Sequence, residues 1–132
     1  MATHMIYRTV SPTIWNSPTF HYLLHHEQVT MLCLLTHSQL KRFGLLSIFP
    51  DELGHITRQT KNQVLGVLAT LERHRIIEWD PKAPMVAFPK YFRYNAIETI
   101  SELALAARQL PLLPKSTVRD RQTDRFVAHI NT

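Results

Sequence analysis

The polar stretch ITRQTKNQ, residues 56–63, combines two cations with three amide side chains and contains no acid. Cationic groups such as those of Arg58 and Lys61 bind phosphate oxygens, and surroundings without carboxylates do not repel a polyanion. The amides of Asn62 and Gln63 can both donate and accept, which suits bidentate hydrogen bonds to a base edge, with adenine the usual match. The chemistry available in this stretch is therefore charge pairing and hydrogen bonding with a nucleic acid.

The eight histidines raise the question of a metal site. His21 and His25 have the i, i+4 spacing of two ligands on one helix face, but the sequence offers them no clear third ligand. His26 and Glu27 begin like a zinc-protease motif, which fails at Thr30, where the second histidine is required. A phosphate-binding glycine loop, a nucleophile elbow and convincingly paired carboxylates are also missing from the sequence. We therefore predict no metal site, no cofactor and no catalytic residue, so the chain is not expected to be an enzyme.

The charge of the chain is moderately basic and concentrated in its middle. Lys and Arg number 15 against 10 Asp and Glu, for a net charge of +5, and six cations face three carboxylates between Gln39 and Arg75. This balance fits a polyanionic partner and equally a basic protein without one. At 132 residues the chain is expected to form one domain with its own core.

The sequence also bears on the compartment. Cys33 is a lone cysteine in an apolar run, which predicts a buried structural thiol in a reducing environment. Signal-peptide features and an apolar run of about 18 residues are both lacking, so we expect no membrane association and a cytoplasmic location, the cytoplasm of a bacterial host. Residues 1–4 are interpreted as a cloning remnant preceding Met5.

Two helices are predicted to hold the polar stretch. Pro50 and the acids after it suit the first turn of one helix, because the helix dipole favours negative charge there. Thr60 and Gln63 have the spacing of a capping box, so the second helix is expected to start at Thr60, after the connecting turn 57–59. Its core stripe consists of Val64, Val67, Leu68 and Leu71. Its opposite face carries Gln59, Asn62, Gln63, Gly66, Thr70 and Arg73.

The remaining elements are predicted from capping residues and periodicity. Residues 1–13 form an extended lead-in, and Asn16, Ser17 and Pro18 start a helix that places Phe20, Leu23 and Leu24 on one face. The other expected elements are a helix over 26–37, a strand over 45–48, strands over 76–79 and 85–88 joined by the loop 80–84, a helix over 96–110, and a tail or connector over 111–132.

This order of elements is typical of a winged helix-turn-helix, whose second paired helix enters the DNA major groove. The predicted fold class is accordingly α+β and mainly α, a winged helix-turn-helix over 14–95 with a two-stranded wing and an additional C-terminal helix. Gly66 would let a backbone come close, and Lys82 in the wing loop would contact a phosphate near the minor groove. The predicted DNA-binding residues are Arg58, Gln59, Lys61, Asn62, Gln63, Gly66, Thr70, Arg73, Lys82, Lys90 and Arg93.

Four aromatic residues have two interpretations. Trp79, Tyr91, Phe92 and Tyr94 could stack on unpaired bases if they are exposed. The interpretation that we favour is structural, with the four rings fastening the hairpin to the helices.

The chain resembles a known family in several segments. These are IWNSPTF, LLTH, GLLSIFPDEL, TKNQVLGVLATLERHRIIEWD and AFPKYFRYN, between Ile14 and Asn95. They are similar to the N-terminal winged-helix domain of phage replication-initiation proteins, the DnaD-like replisome-organiser group. The resemblance implies binding of double-stranded DNA in phage or prophage replication initiation, with host replication proteins as further partners.

Two alternatives remain open from the sequence. One is an interaction module that binds or inhibits a host factor. The apolar face of the helix over 96–110 could form a homodimer contact, but the interpretation that we favour is that it packs on its own domain. The other is a transcription regulator with the same DNA-binding mechanism, because the residues do not separate transcription from replication.

Overall fold

The structure is a computed structural model that describes residues 8–131. Residues 1–7, which include most of the predicted lead-in and the interpreted cloning remnant, lie outside the described residues, as does Thr132. The described lead-in ends in a 3-10 turn, Pro12–Asn16, rather than in extended chain. The N-terminal helices are α1, Pro18–Tyr22, and α2, His25–Thr36.

The middle of the chain alternates strands and helices. A strand β1, Leu45–Ser47, is followed by the helices α3, Pro50–Thr57, and α4, Lys61–Arg73. The strands β2, Glu78–Asp80, and β3, Met85–Ala87, form a hairpin, and α5, Tyr91–Tyr94, is a single turn. The C-terminal part contains α6, Ile100–Gln109, a 3-10 turn at Leu110–Leu112, and α7, Thr117–Ile130.

The three strands form one antiparallel sheet in the order β1-β3-β2. Leu46 lies opposite Val86, and Trp79 lies opposite Val86 from the other side. Because side chains alternate between the two faces of a strand, these residues share one face, and Leu45, Ala87 and Glu78 share the other. The hairpin predicted as a two-stranded wing therefore has a third strand along β3.

Each face of the sheet supports a separate hydrophobic cluster. The face with Leu46 and Val86 packs against α1 to α4, whose buried residues include Phe20, Leu34 and Leu68. The opposite face packs against α6 and α7 and contains Phe43, Leu45, Met85, Ala87, Ala106, Val118 and Phe126. Central β3 is buried on both faces for this reason. The prediction of an α+β, mainly α fold is confirmed.

The sequence prediction for residues 111–132 as a tail or connector is wrong for the helical part of this segment. Ser116 caps α7 by accepting the amide of Arg119, and Val118, Gln122 and Phe126 are buried at helical spacing. Gln122 holds the helix in place, because its amide donates to the backbone oxygens of Phe43 at 2.9 Å and Phe88 at 3.0 Å. The polar Gln122 interrupts the apolar stripe, which is why composition alone suggested an unpacked segment.

Several smaller predictions also change. The C-terminal helix α6 begins at Ile100 rather than near Asn95, since Thr99 caps it through the amide of Glu102. Strand β2 begins two residues after the predicted Ile76, because the left-handed residue Arg75, which lies two residues after the end of α4, redirects the chain. Leu24 is exposed rather than sharing the buried face of Phe20 and Leu23.

The lone thiol of Cys33 is half-buried against the first cluster. Burial raises its pKa, and the nearby Glu52 carboxylate adds to the rise. A thiol with a raised pKa is weakly nucleophilic, in keeping with the predicted structural role. Within residues 8–131, no helix has the length and apolar character needed to span a membrane.

Candidate functional site

The turn between α3 and α4 is built from a close backbone contact. The amide of Gln59 donates to the oxygen of Gly54 at 2.8 Å, and a β-carbon on Gly54 would lie 2.6 Å from the oxygen of Gln59. Arg58, between them, has φ 57° and ψ 45°, the left-handed conformation in which helices usually place glycine. The three-residue turn from Arg58 to Thr60 thus fixes the direction of α4, with an arginine at the strained position.

Gln59 was predicted to face DNA, and the structure corrects this. Its side-chain amide donates to the hydroxyls of Thr30 and Thr57, each at 2.8 Å. These hydroxyls in turn donate to the backbone oxygens of His26 and Leu53, both at 2.7 Å. Gln59 therefore ties the turn to α2 and α3, and its amide nitrogen is not free for a ligand.

The first turn of α4 is closed by the predicted capping box. The hydroxyl of Thr60 accepts the amide of Gln63 at 3.2 Å, and the side-chain oxygen of Gln63 accepts the amide of Thr60 at 2.8 Å. Two of the otherwise unpaired amides at the helix start are satisfied in this way. The side-chain oxygen of Gln63 is already used in this helix cap. Bidentate hydrogen bonding to adenine needs both the oxygen and the nitrogen of an amide, so Asn62 is the amide left for a base edge.

The outward face of α4 is exposed along its length, while its predicted core stripe of Val64, Val67, Leu68 and Leu71 is buried. Within residues 8–131, the side chains of Arg58 and Asn62 have no hydrogen-bond or ion-pair partner. Lys61 lies 4.0 Å from Asp51, but both side chains are more than half exposed, so this contact contributes little. A β-carbon on Gly66 would meet nothing within 4 Å. The face is therefore open to a large partner.

Two predicted residues on the same helix are engaged locally. The Thr70 hydroxyl donates to the oxygen of Gly66 at 3.1 Å, and Arg73 reaches that hydroxyl at 3.5 Å. Arg73 remains exposed at the C-terminal end of the face. Both residues border the open surface of α4. The Thr70 hydroxyl already donates its hydrogen within the helix, so toward a ligand it can only accept a hydrogen bond.

The hairpin turn presents Lys82. The side-chain oxygen of Asp80 accepts the amides of Lys82 at 2.9 Å and Ala83 at 3.4 Å, and this small turn leaves the lysine side chain exposed. The turn is short, so Lys82 is the cation that the hairpin can offer to a phosphate.

Lys90 and Arg93 do not belong to the surface of α4. Together with Arg75 they line a cavity beside α1, α2 and the residues that follow α4. Arg75 follows the C-terminal end of α4, about 20 Å along the helix axis from its first turn. The sequence thus predicted one group of cations, whereas the structure divides them between two places. Arg75 was not among the predicted residues, and no sequence pattern predicts its left-handed φ of 60°.

The four aromatic residues separate into two groups. Tyr91 and Phe92 pack against neighbouring rings, Phe92 being stacked on His129 at 4.9 Å, and Trp79 is packed against the first cluster. The favoured structural interpretation is confirmed for these three. Tyr94 is 63 % exposed, so its ring is available for stacking.

Most of the histidines in the described part of the chain are exposed. His21, His25 and His26 lie at the surface of α1 and α2. Over residues 8–131, no group of three His, Cys, Asp or Glu side chains is arranged to hold a metal ion.

No family model matches the chain, and searches of curated proteins and of solved structures also find no match.

Proposed function

We propose that the chain is a winged helix-turn-helix protein that binds double-stranded DNA through the outward face of α4. Supporting the fold assignment is the order helix, strand, helix, helix, strand, strand, with β1 paired to β3 and a three-residue turn joining α3 to α4. The N-terminal half of α4 would enter the major groove, and Lys82 in the wing turn would contact an adjacent phosphate.

One observation carries the proposal. Residues 58–70 include no acid, Arg58, Lys61, Asn62 and Gly66 are exposed, and the helix is anchored by four buried aliphatic residues. Arg58 and Lys61 would contact phosphates, and Asn62 would read a base, while Gly66 allows close approach of the backbone. Because these groups need no rearrangement of the core, binding would not oppose folding.

The biological setting of the proposal comes from the sequence resemblance alone. Initiation of phage or prophage DNA replication, in the bacterial cytoplasm and with host replication proteins as partners, is what the resemblance to replisome organisers implies. A transcription regulator would use the same surface on DNA.

The proposal is tested with labelled duplex DNA, by anisotropy at several salt concentrations. Selected duplexes from a random library would supply the preferred site. Arg58→Gly removes the guanidinium while keeping the left-handed backbone, so it should weaken binding to all duplexes and reduce the salt slope by about 1. Lys61→Ala should act similarly. Asn62→Ala should instead lower discrimination at one base pair, by about 1–3 kcal/mol.

The matched control is Arg108→Ala, which removes an exposed cation from α6. It should leave affinity and salt slope unchanged. If Arg108→Ala and Arg58→Gly had equal effects, binding would reflect overall charge and the proposed surface would be wrong.

A protein-interaction role is the second candidate, and exposed aliphatic residues favour it. Ile100 on α6 is 84 % exposed and Leu112 after it is 83 % exposed. A homodimer through α6 would cover them. Light scattering should then show a dimer that Ile100→Asp converts to monomer; a chain that is monomeric at all concentrations excludes this contact.

A further inference from the structure

The cavity that contains Arg75, Lys90 and Arg93 has a volume of about 230 Å³. Its apolar lining includes Ile14, Met31, Ile76 and Phe88, which belong to the lead-in, α2 and the region around the hairpin. This volume is below the roughly 300–1,000 Å³ of pockets for drug-sized ligands, so it suits one ring system and its substituents. An apolar cavity of this size would be the place for a flat, weakly polar group.

The polar lining of the cavity is cationic. None of the described residues that line it is an acid, while Arg75, Lys90 and Arg93 are exposed there and have no hydrogen-bond or ion-pair partner for their side chains within residues 8–131. These three cations line the same small cavity and are not neutralised by an acid among its lining residues. An anion bound among them would accept charge-assisted hydrogen bonds.

The backbone of Arg75 adopts a strained, left-handed conformation. It is the left-handed residue of the α4 ending, in which the amide of Ile76 donates to the oxygen of Leu71 at 3.0 Å and that of Arg75 to the oxygen of Glu72 at 2.9 Å. This pattern normally uses glycine, and a non-glycine residue there costs about 1 kcal/mol or more. Strain of this kind is concentrated at binding sites.

Hydroxyl groups and aromatic rings complete the lining. Thr9 and Thr19 have hydroxyls that make no hydrogen bond within the described part of the chain, and Tyr94 offers an exposed ring. A lipid chain would have no use for these hydroxyls, and inorganic phosphate would leave the apolar lining uncovered. A nucleotide uses all three features: its phosphate, its sugar and base polar atoms, and its aromatic ring.

We propose that this cavity binds a single nucleotide unit, with the phosphate among Arg75, Lys90 and Arg93 and the base between the apolar lining and Tyr94. The ligand is either a free mononucleotide or an unpaired nucleotide of single-stranded DNA, since both present the same chemistry. The site lies at the other end of α4 from the proposed duplex surface, and it does not depend on that surface.

The test uses the full chain labelled with nitrogen-15 and calorimetry at fixed ionic strength. The probes are dAMP, deoxyadenosine, inorganic phosphate and a ten-residue oligothymidylate. We expect dAMP to shift the amide signals of the cavity residues in a saturable way, and to bind at least about tenfold more tightly than deoxyadenosine or phosphate. An oligonucleotide that binds more than tenfold more tightly than dAMP identifies the unpaired strand as the source, and an oligonucleotide that leaves these signals unshifted identifies the free nucleotide.

Variants locate the site. Arg75→Gly keeps the left-handed backbone and removes the cation, and Arg93→Ala removes a second cation from the rim. Each should weaken nucleotide binding by about tenfold, whereas Lys82→Ala and Arg58→Gly should not change it. The proposal is overturned if dAMP and the oligonucleotide leave the cavity signals unshifted, or if Arg58→Gly abolishes nucleotide binding while Arg75→Gly and Arg93→Ala do not affect it. Loss of duplex binding in Arg58→Gly, with nucleotide binding intact, separates the two proposals.

Discussion

The outward face of α4 and the helix α7 both carry several arginines or lysines, but they use them differently. On α7, Arg125 donates to both carboxylate oxygens of Glu78, at 2.7 and 3.0 Å, and Arg119 donates to the oxygen of Leu113 at 3.0 Å. On the α4 side, Arg58 has no partner among the described residues, and Lys61 has only a distant, exposed one. The number of cations in a region therefore does not indicate a binding surface. The better indication is that the cations have no hydrogen-bond or ion-pair partner within the protein.

Substitutions should separate these two regions into one that stabilises the fold and one that binds. Changes on α7 should lower the free energy of unfolding and leave binding by the folded molecules intact. Changes on the open face of α4 should weaken binding and leave the free energy of unfolding nearly unchanged.

The largest effect is expected for Gln122→Ala on α7. Its side chain is fully buried, and its loss leaves the backbone oxygen of Phe43 without its donor and the oxygen of Phe88 with the amide of Tyr91 alone. We expect a loss of about 3 kcal/mol, measured by urea unfolding, with duplex affinity unchanged once corrected for the folded fraction. The control Asp124→Ala, at an exposed position of the same helix, should be within about 0.5 kcal/mol of wild type. A Gln122→Ala protein of wild-type stability would show that α7 is not anchored in this way.

The next comparison lies within the predicted site itself. Gln59→Ala removes a donor shared by Thr30 and Thr57 and should cost about 1–2 kcal/mol in unfolding experiments. Asn62→Ala, three residues further along the chain, should leave stability nearly unchanged and alter base preference. If both variants had the same stability and the same loss of preference, Gln59 would be a DNA-contacting residue after all.

Gly66→Ala should have a smaller effect, raising the stability of the fold and lowering the affinity for duplex DNA. The added methyl group meets no atom, and alanine favours a helix interior over glycine by about 1 kcal/mol, so thermal unfolding should occur at a higher temperature. On the binding side, the methyl group should hinder close approach and weaken duplex affinity. Unchanged affinity in a stabilised protein would remove Gly66 from the contact surface.

The smallest effect is a pH dependence at Glu78. Hydrogen bonds from Arg125 lower the pKa of this carboxyl group, and the charges of Arg125 and Arg121 act in the same direction, against the opposing effect of burial. The pKa of Glu78 is lower in the folded chain than in the unfolded chain, so its ion pair with Arg125 stabilises the fold at pH values above the ordinary pKa of a glutamate. This contribution is lost as the pH falls through the pKa of Glu78 in the folded chain. Glu78→Gln should therefore flatten the acid side of the stability profile, recorded by urea unfolding at a series of pH values, relative to wild type. An unchanged profile would mean that the pair does not stabilise the fold.

The local signals in the sequence were sufficient for the helix pair. Thr60 and Gln63 predicted the start of α4, and the stripe of Val64, Val67, Leu68 and Leu71 predicted its buried side, because capping and amphipathic spacing are properties of adjacent residues. The same reasoning placed both hairpin strands to within two residues. It missed α7, although Ser116 and the spacing of Val118 and Phe126 were visible, because a polar residue occupies the buried position between them.

The sequence by itself determined which residues are cations and amides, where the two paired helices meet, and that a predominantly helical α+β fold would form. Only the tertiary structure decided which of those polar groups are available. The side chain of Gln59 is hydrogen-bonded to hydroxyls of α2 and α3, and that of Gln63 caps its own helix. Lys90 and Arg93 line a cavity beside Arg75, away from the first turn of α4. The physical reason is that the exposure and pairing of a side chain depend on groups distant in sequence, whereas periodicity and capping depend only on neighbours.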